Sequence, residues 1–163
     1  MALKLATVIK QMRSFRNPYA YESLEVLHAG IKPSPGAKSI YSQCLVNGKG
    51  DTYKNYIQFF DVKFQENAEQ GLFSAKVGRK DYYYPPVTAN NNRCKFYCNC
   101  PDMQFTFSYQ LWEKDSFIGA YKRYKRVPGS TRPPRNPKNV PGFCKHTMSH
   151  LNQLKKMGFI TGF

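Results

Sequence analysis

Acid is scarce in this chain. Ten Asp and Glu stand against 25 Lys and Arg in 163 residues, a formal net charge of +15, and no acidic residue follows Asp115. No paired-carboxylate motif and no glycine-rich phosphate loop is present, which removes the commonest sequence signs of hydrolase and nucleotide chemistry. No apolar run approaches the ~18 residues that a membrane-spanning helix needs. The start, Met1-Ala2-Leu3-Lys4, has neither the apolar stretch nor the small-residue cleavage pattern of a secretory signal. Five cysteines are an odd number for a disulfide framework. In a reducing, intracellular setting, clustered Cys and His mean metal more often than disulfide.

What the chain has in quantity is aromatic and basic side chains. Twelve Tyr and twelve Phe, with few Leu and Ile, point to β structure around an aromatic core. The length suits one domain that buries a core of its own. The positive charge calls for an anionic partner, nucleic acid or an acidic protein surface, or for a place inside a large assembly.

The periodicities divide the chain into four segments within one domain. Residues 1–36 carry Leu5, Val8, Ile9 and Met12 at helical spacing, with Lys4, Lys10 and Arg13 beside them. This amphipathic helix has a packing use on its own domain, with a membrane or a partner groove as alternatives. Asn17-Pro18 ends it, a second short helix is expected over Glu22–His28, and Pro33-Ser34-Pro35-Gly36 reads as a loop. Residues 37–120 read as an antiparallel sheet. Strands are expected over Ser39–Val46, ended by the hairpin signal Asn47-Gly48, and over Tyr53–Gln65, with Tyr56, Phe60, Val62 and Phe64 on one face. Leu72–Val77 and Arg93–Cys98 follow, and Tyr82–Pro86 is an edge or extended segment. Met103 to Leu111 alternates apolar with polar residues, a strand period, unless a metal site just before it imposes a helical turn. Residues 121–142 form a basic, proline-rich arm containing Lys122, Arg123, Lys125, Arg126, Arg132, Arg135 and Lys138. Its prolines forbid helix and central strand, and it has too few apolar residues to bury itself. Residues 143–163 contain a closing helix that begins near Cys144, places Met148, Leu151 and Leu154 on one face and stops at Gly158. The expected fold class is therefore α+β: an aromatic-rich antiparallel sheet with a helix at each end of the chain.

Chemistry concentrates in two tight pairs, Cys98-Asn99-Cys100 and Cys144-Lys145-His146. Two thiolates from one pair and a thiolate plus an imidazole from the other make the closed four-ligand set of a structural zinc site. Lys145 and Lys95 are expected to favour the thiolates, and Asp102 to hold the free ring proton of His146. The alternative is that the buried cysteines are only small apolar fillers. His150, one helical turn after His146, could face the same site as a substitute ligand, but it reads more readily as a surface or capping histidine. Cys94 reads as a buried strand residue or a spare sulfur, and His28 and Cys44 as core residues. With all four metal positions filled by protein, and Cys144 and His146 better explained as ligands than as nucleophile and base, catalysis and a small-molecule substrate are not expected.

The stretches Phe96-Tyr97-Cys98-Asn99-Cys100-Pro101-Asp102 and Pro141-Gly142-Phe143-Cys144-Lys145-His146 resemble the SWIM-type zinc finger, a small ββα module. The resemblance covers residues 94–157. It implies Cys98, Cys100, Cys144 and His146 as ligands of one zinc ion, and a role in binding nucleic acid or protein. The 43 residues between Cys100 and Cys144 make a longer spacer than such fingers usually have. The Cys98–Asp102 run, together with residues 134–146, is also similar to small proteins of large tailed bacteriophages. That similarity implies a structural component of a virion (head, neck, tail or baseplate) assembled in the host cytoplasm. The expected partners are other protein subunits, bound through the basic arm. The alternative is a nucleic-acid-binding protein, since Lys122-Arg123-Tyr124-Lys125-Arg126 interleaves aromatic and cationic groups as single-strand binders do.

Overall fold

Alternation of small, branched and aromatic residues between turn signals produces the main sheet. In the computed structural model, which describes residues 1–121 and 127–163, four strands pair antiparallel in the order β1-β2-β3-β7. They are β1 (Val26–Ser34), β2 (Ser39–Asn47), β3 (Thr52–Phe59) and β7 (Cys94–Cys98). A separate hairpin joins β4 (Phe73–Val77) to β5 (Lys80–Tyr84), and β6 (Val87–Thr88) pairs parallel with β8 (Ile160–Thr161). The helices are α1 (Leu5–Met12), α2 (Ser108–Glu113) and α3 (Lys145–Lys156). The fold is α+β, as the composition implies.

One face of the sheet is the floor of the core. Ile40, Ser42, Cys44 and Val46 of β2, Asn55, Ile57 and Phe59 of β3, and Cys94, Phe96 and Cys98 of β7 are all buried. Helix α1 lays Leu5, Val8, Ile9 and Met12 against this core, which confirms its packing use. Helix α3 crosses the strands with Met148, Leu151 and Leu154 buried, and ends at Gly158, whose φ of 71° suits a residue without Cβ. A second aromatic cluster, in which Phe159 meets Phe59, Phe73 and Tyr84, seats the β4–β5 hairpin. Among the described residues, no helix is long and apolar enough to cross a membrane.

Three expectations fail locally, and the segment after Cys100 takes the helical alternative. Residues 26–34 are strand β1, not helix, because a register shift between Leu27 and Gly30 lets the segment pair along the whole of β2. Pro33 and Ser34 accordingly end that strand, and only Pro35–Ala37 turn. Strand β3 stops at Phe59, since Asp61 takes a positive φ of 61°, and its buried parity runs through Asn55 and not Tyr56. Residues 101–113 are helical, with a wide π turn over Met103–Phe107 leading into α2. Pro101 in the first helical position and Asp102 beside it are helix-start chemistry, and they override the period-two pattern that follows.

The arm is exposed over residues 127–135 but does not float. Asn136 is buried, and its amide donates to the carbonyls of Thr106 (3.1 Å) and Val140 (2.8 Å). Pro141 to Cys144 then run through the core. Gly142 passes so close to Phe107 that a Cβ would lie 2.6 Å from the ring. Lys122, Arg123, Lys125 and Arg126 lie outside the described residues.

Candidate metal centre

Strand β7 delivers Cys98 at its end, and the chain turns at once so that Cys100 comes back beside it ahead of the π turn. Cys144 is the N-cap of α3, and His146 lies in its first turn. The three sulfurs and an imidazole nitrogen all lie within 4.8 Å of one another, and all four residues are buried. A tetrahedron with metal–sulfur bonds of ~2.3 Å has edges of about 3.8 Å, so closure on an ion needs side-chain shifts of about an ångström at most.

The donors fit a metal on independent grounds. Both ring nitrogens of His146 are buried without a hydrogen-bond partner, and the only other orphaned side-chain polar atom among the described residues is Thr88 Oγ1. A buried imidazole with nothing on either nitrogen costs roughly 1–3 kcal/mol per group, and a coordinated ion would remove that cost at one of the two nitrogens. The Tyr53 ring covers His146 at 4.4 Å between centroids. Gly48 makes room for both, since a Cβ there would stand 2.6 Å from Tyr53 and 3.3 Å from His146 Nε2.

The thiols do not ionise independently. Cys98 is raised far above the ordinary thiol range by hydrogen bonding with Cys100 and Cys144, and further by burial. Cys100 is pushed up to about 12, chiefly through its bond to Cys144. Burial opposes ionisation of Cys144 too, but hydrogen bonding from Cys100, Cys98 and Thr147 outweighs it and holds this thiol low. The first negative charge therefore settles on Cys144, at the positive end of a twelve-residue helix. A second and third thiolate need a cation among them.

Behind Cys144 runs a polar chain wholly inside the core. The Ser42 hydroxyl meets His150 Nε2 at 2.8 Å, and His150 Nδ1 meets Asn55 Oδ1 at 2.8 Å. Asn55 Nδ2 donates to Thr147 Oγ1 at 2.7 Å, and Thr147 Oγ1 lies 3.5 Å from Cys144 Sγ. One direction of donation satisfies every link: Ser42 to His150, His150 to Asn55, Asn55 to Thr147, and Thr147 to the sulfur. Ser42, His150 and Asn55 have the membership of a nucleophile–base–orienter group, yet each is 0% exposed. The chain braces Cys144, a candidate metal ligand, from behind.

Several sequence expectations are corrected here. His150 is a buried core residue, neither surface nor cap, and burial lowers its pKa to about 3. Asp102 does not reach His146; it pairs with Arg16 at 2.8 Å and accepts from Thr106 at 3.0 Å. Lys95 and Lys145 face Asp115 and Glu22 and lend the thiolates nothing directly. Two readings hold: Cys94 is a buried strand residue with its thiol towards the Leu3 carbonyl, outside the cluster, and Cys44 is a buried core residue with its thiol pushed up to about 12. His28 lies on β1, and its side chain is outside the described part of the structure.

Sequence reasoning missed Tyr53, Asn55 and Thr147, none of which carries metal-ligand chemistry. Thr147 alone left a signal, as the hydroxyl next to His146. It also missed an aromatic face beside the arm. Phe105 (46%), Tyr109 (39%) and Trp112 (52%) are strongly exposed, and Arg135 stacks over Phe105 at 5.4 Å. Arg132 and Arg135 line the groove between this face and the arm, whereas Lys138 is exposed outside it. No protein-family model, curated protein or solved structure matches the chain.

Proposed function

We propose that the chain is a non-catalytic structural subunit of a large assembly, stapled by one zinc ion and docked to neighbouring protein subunits through its basic arm. The observation that carries this reading is the pairing of a sealed metal centre with an exposed aromatic–arginine face elsewhere on the surface. Zinc suits three thiolates and an imidazole in a closed tetrahedron. With four protein donors and no exposed ligand, such a centre has no position for a substrate. The SWIM-type reading gains support from β3 and β7 running antiparallel ahead of α3, with His146 in its first turn.

The docking face has the composition of an interface hot spot. Trp, Tyr and Arg dominate such patches, and large exposed aromatics on a soluble surface mark an interaction site. Tyr109, Trp112 and Tyr121 stack on one another at 5.5 to 6.4 Å, which presents a rigid surface at small entropic cost. The exposed Pro133-Pro134 step keeps the neighbouring arm extended. The virion setting rests on the similarity of residues 98–102 and 134–146 to tailed-phage proteins.

Cross-linking mass spectrometry on intact particles from the source of the chain tests the reading. Lys138 is expected to link to a different subunit. A chain found only outside assembled particles, with its arm linked to nucleic acid, would replace it with the nucleic-acid alternative.

A further inference from the structure

The outer face of the main sheet carries a different chemistry from the arm. Tyr41 on β2, Tyr56 on β3 and Tyr97 on β7 form a row across three adjacent strands. Their rings stack at 5.6 and 5.5 Å with interplanar angles of 26° and 25°. All three are partly exposed on the outer side of the sheet, and Tyr97 at the end of the row also packs against Phe117 at 5.9 Å. Lys32, the register neighbour of Tyr41 on β1, and Lys54, two residues before Tyr56, are both exposed. Beside the row lies a shallow depression of ≈ 210 Å³, lined by Tyr56, Lys54, Gln43 and Leu45 above Cys44. Small-molecule and cofactor pockets run to about 300–1,000 Å³, so this one has room for a single flat ring. None of the four strands contains an Asp or Glu.

We propose that this sheet face binds single-stranded nucleic acid, with one base in the depression against Tyr56, its neighbours on the tyrosine row, and the backbone on Lys32 and Lys54. The parts correspond one to one with what an unpaired strand offers. Aromatic rings take base faces without regard to sequence, an amide such as Gln43 takes a base edge, and ammonium groups take phosphates. A protein partner of a basic face would need its own acidic complement, but it would not need a one-ring depression beside a stacked row. Lys95, on the same face, already pairs with Asp115 and is not counted among the phosphate contacts. The site stands whether the arm docks on protein or not, because it shares no residue with the arm.

The experiment uses the full, metal-loaded chain. Fluorescence anisotropy with a twenty-nucleotide oligo-dT, an oligo-rU and a duplex of the same length should show both single strands binding more tightly than the duplex. Tyr56→Leu and Tyr97→Leu keep apolar cover on the sheet but remove the ring, and each should weaken binding by roughly 5- to 150-fold. Lys54→Gln should lower the slope of log affinity against log salt by about 0.7. Arg132→Gln with Arg135→Gln should leave the tyrosine-dependent binding in place. Ultraviolet cross-linking of a bromouridine oligonucleotide to the unmutated chain needs no variant to fold, and adducts are expected on Tyr56 or Tyr97. Adducts confined to residues 121–138, affinity that follows the arginines and ignores the tyrosines, no binding, or Lys54 cross-linking to a protein subunit in place of the oligonucleotide would each overturn the proposal.

Discussion

Replacing Cys144 with Ser separates a metal ligand from a buried filler, and the structure sets the size of the effect. The shortest loop between the two ligand pairs that an ion would close, Cys100 to Cys144, spans 45 residues. By the loop-closure relation for a cross-link of that length, tying it lowers the entropy of the unfolded chain by about 4 kcal/mol at 25 °C. That is a floor, because it leaves out the bonds themselves. Apparent binding energies for structural zinc run to ~10–16 kcal/mol, as large as the whole stability of a typical domain. For a chain of this length each kcal/mol moves the melting temperature by about 2–4 °C. Loss of the ion should therefore lower Tm by at least roughly 8–16 °C. Amide exchange should rise first in α3, which two of the ligands anchor at its N-terminus. The matched control is Cys94→Ser, equally buried on the same strand face as Cys98 but outside the cluster. The assay is a thermal melt with metal counted by mass spectrometry, before and after chelation. One zinc per chain is expected in the parent and in Cys94→Ser, and none in Cys144→Ser. If chelation moves Tm by less than about 3 °C, or Cys144→Ser costs no more than Cys94→Ser, the sulfurs are core filler and the staple does not exist.

Two further outcomes follow from the core. Burial holds the folded-state pKa of His150 at about 3, below the ~6.5 of an unfolded chain. The unfolded state therefore takes up the proton first, so the contribution of neutral His150 is complete above pH ~6.5 and falls towards pH 3 at up to about 1.4 kcal/mol per unit. Urea titrations at pH 7, 6 and 5, with metal content followed at each pH, should show that slope while the ion is still bound; a flat profile would refute it. Gly142→Ala would force a Cβ to 2.6 and 2.8 Å from the Phe107 ring and 3.0 Å from Met12 Cγ. Overpacking of this kind costs about 1–3 kcal/mol, so Tm should fall by roughly 2–12 °C with metal content unchanged. An unaltered melt would mean that the arm's return through the core is looser than these distances imply.

Local chemistry determined the parts of this protein that need few neighbours. Cys98, Cys100, Cys144 and His146 are legible in the sequence because a metal site demands those residue types at short spacings. The two terminal helices are legible from 3.6-residue periodicity and a glycine stop, and β2 from its alternation before Asn47-Gly48. Tertiary structure decided wherever a partner outweighed the local pattern. Pairing along β2 made residues 26–34 a strand. Asn55 shows the reason most plainly. A polar residue reads as outward-facing, yet it lies at 0% exposure because Thr147 and His150, 92 and 95 residues away, satisfy its amide. Its burial sets the parity of β3, turns Tyr56 outward into the row with Tyr41 and Tyr97, and places His150 inside. A hydrogen bond across that separation leaves no period in the sequence; it exists only once the sheet and α3 have closed on each other.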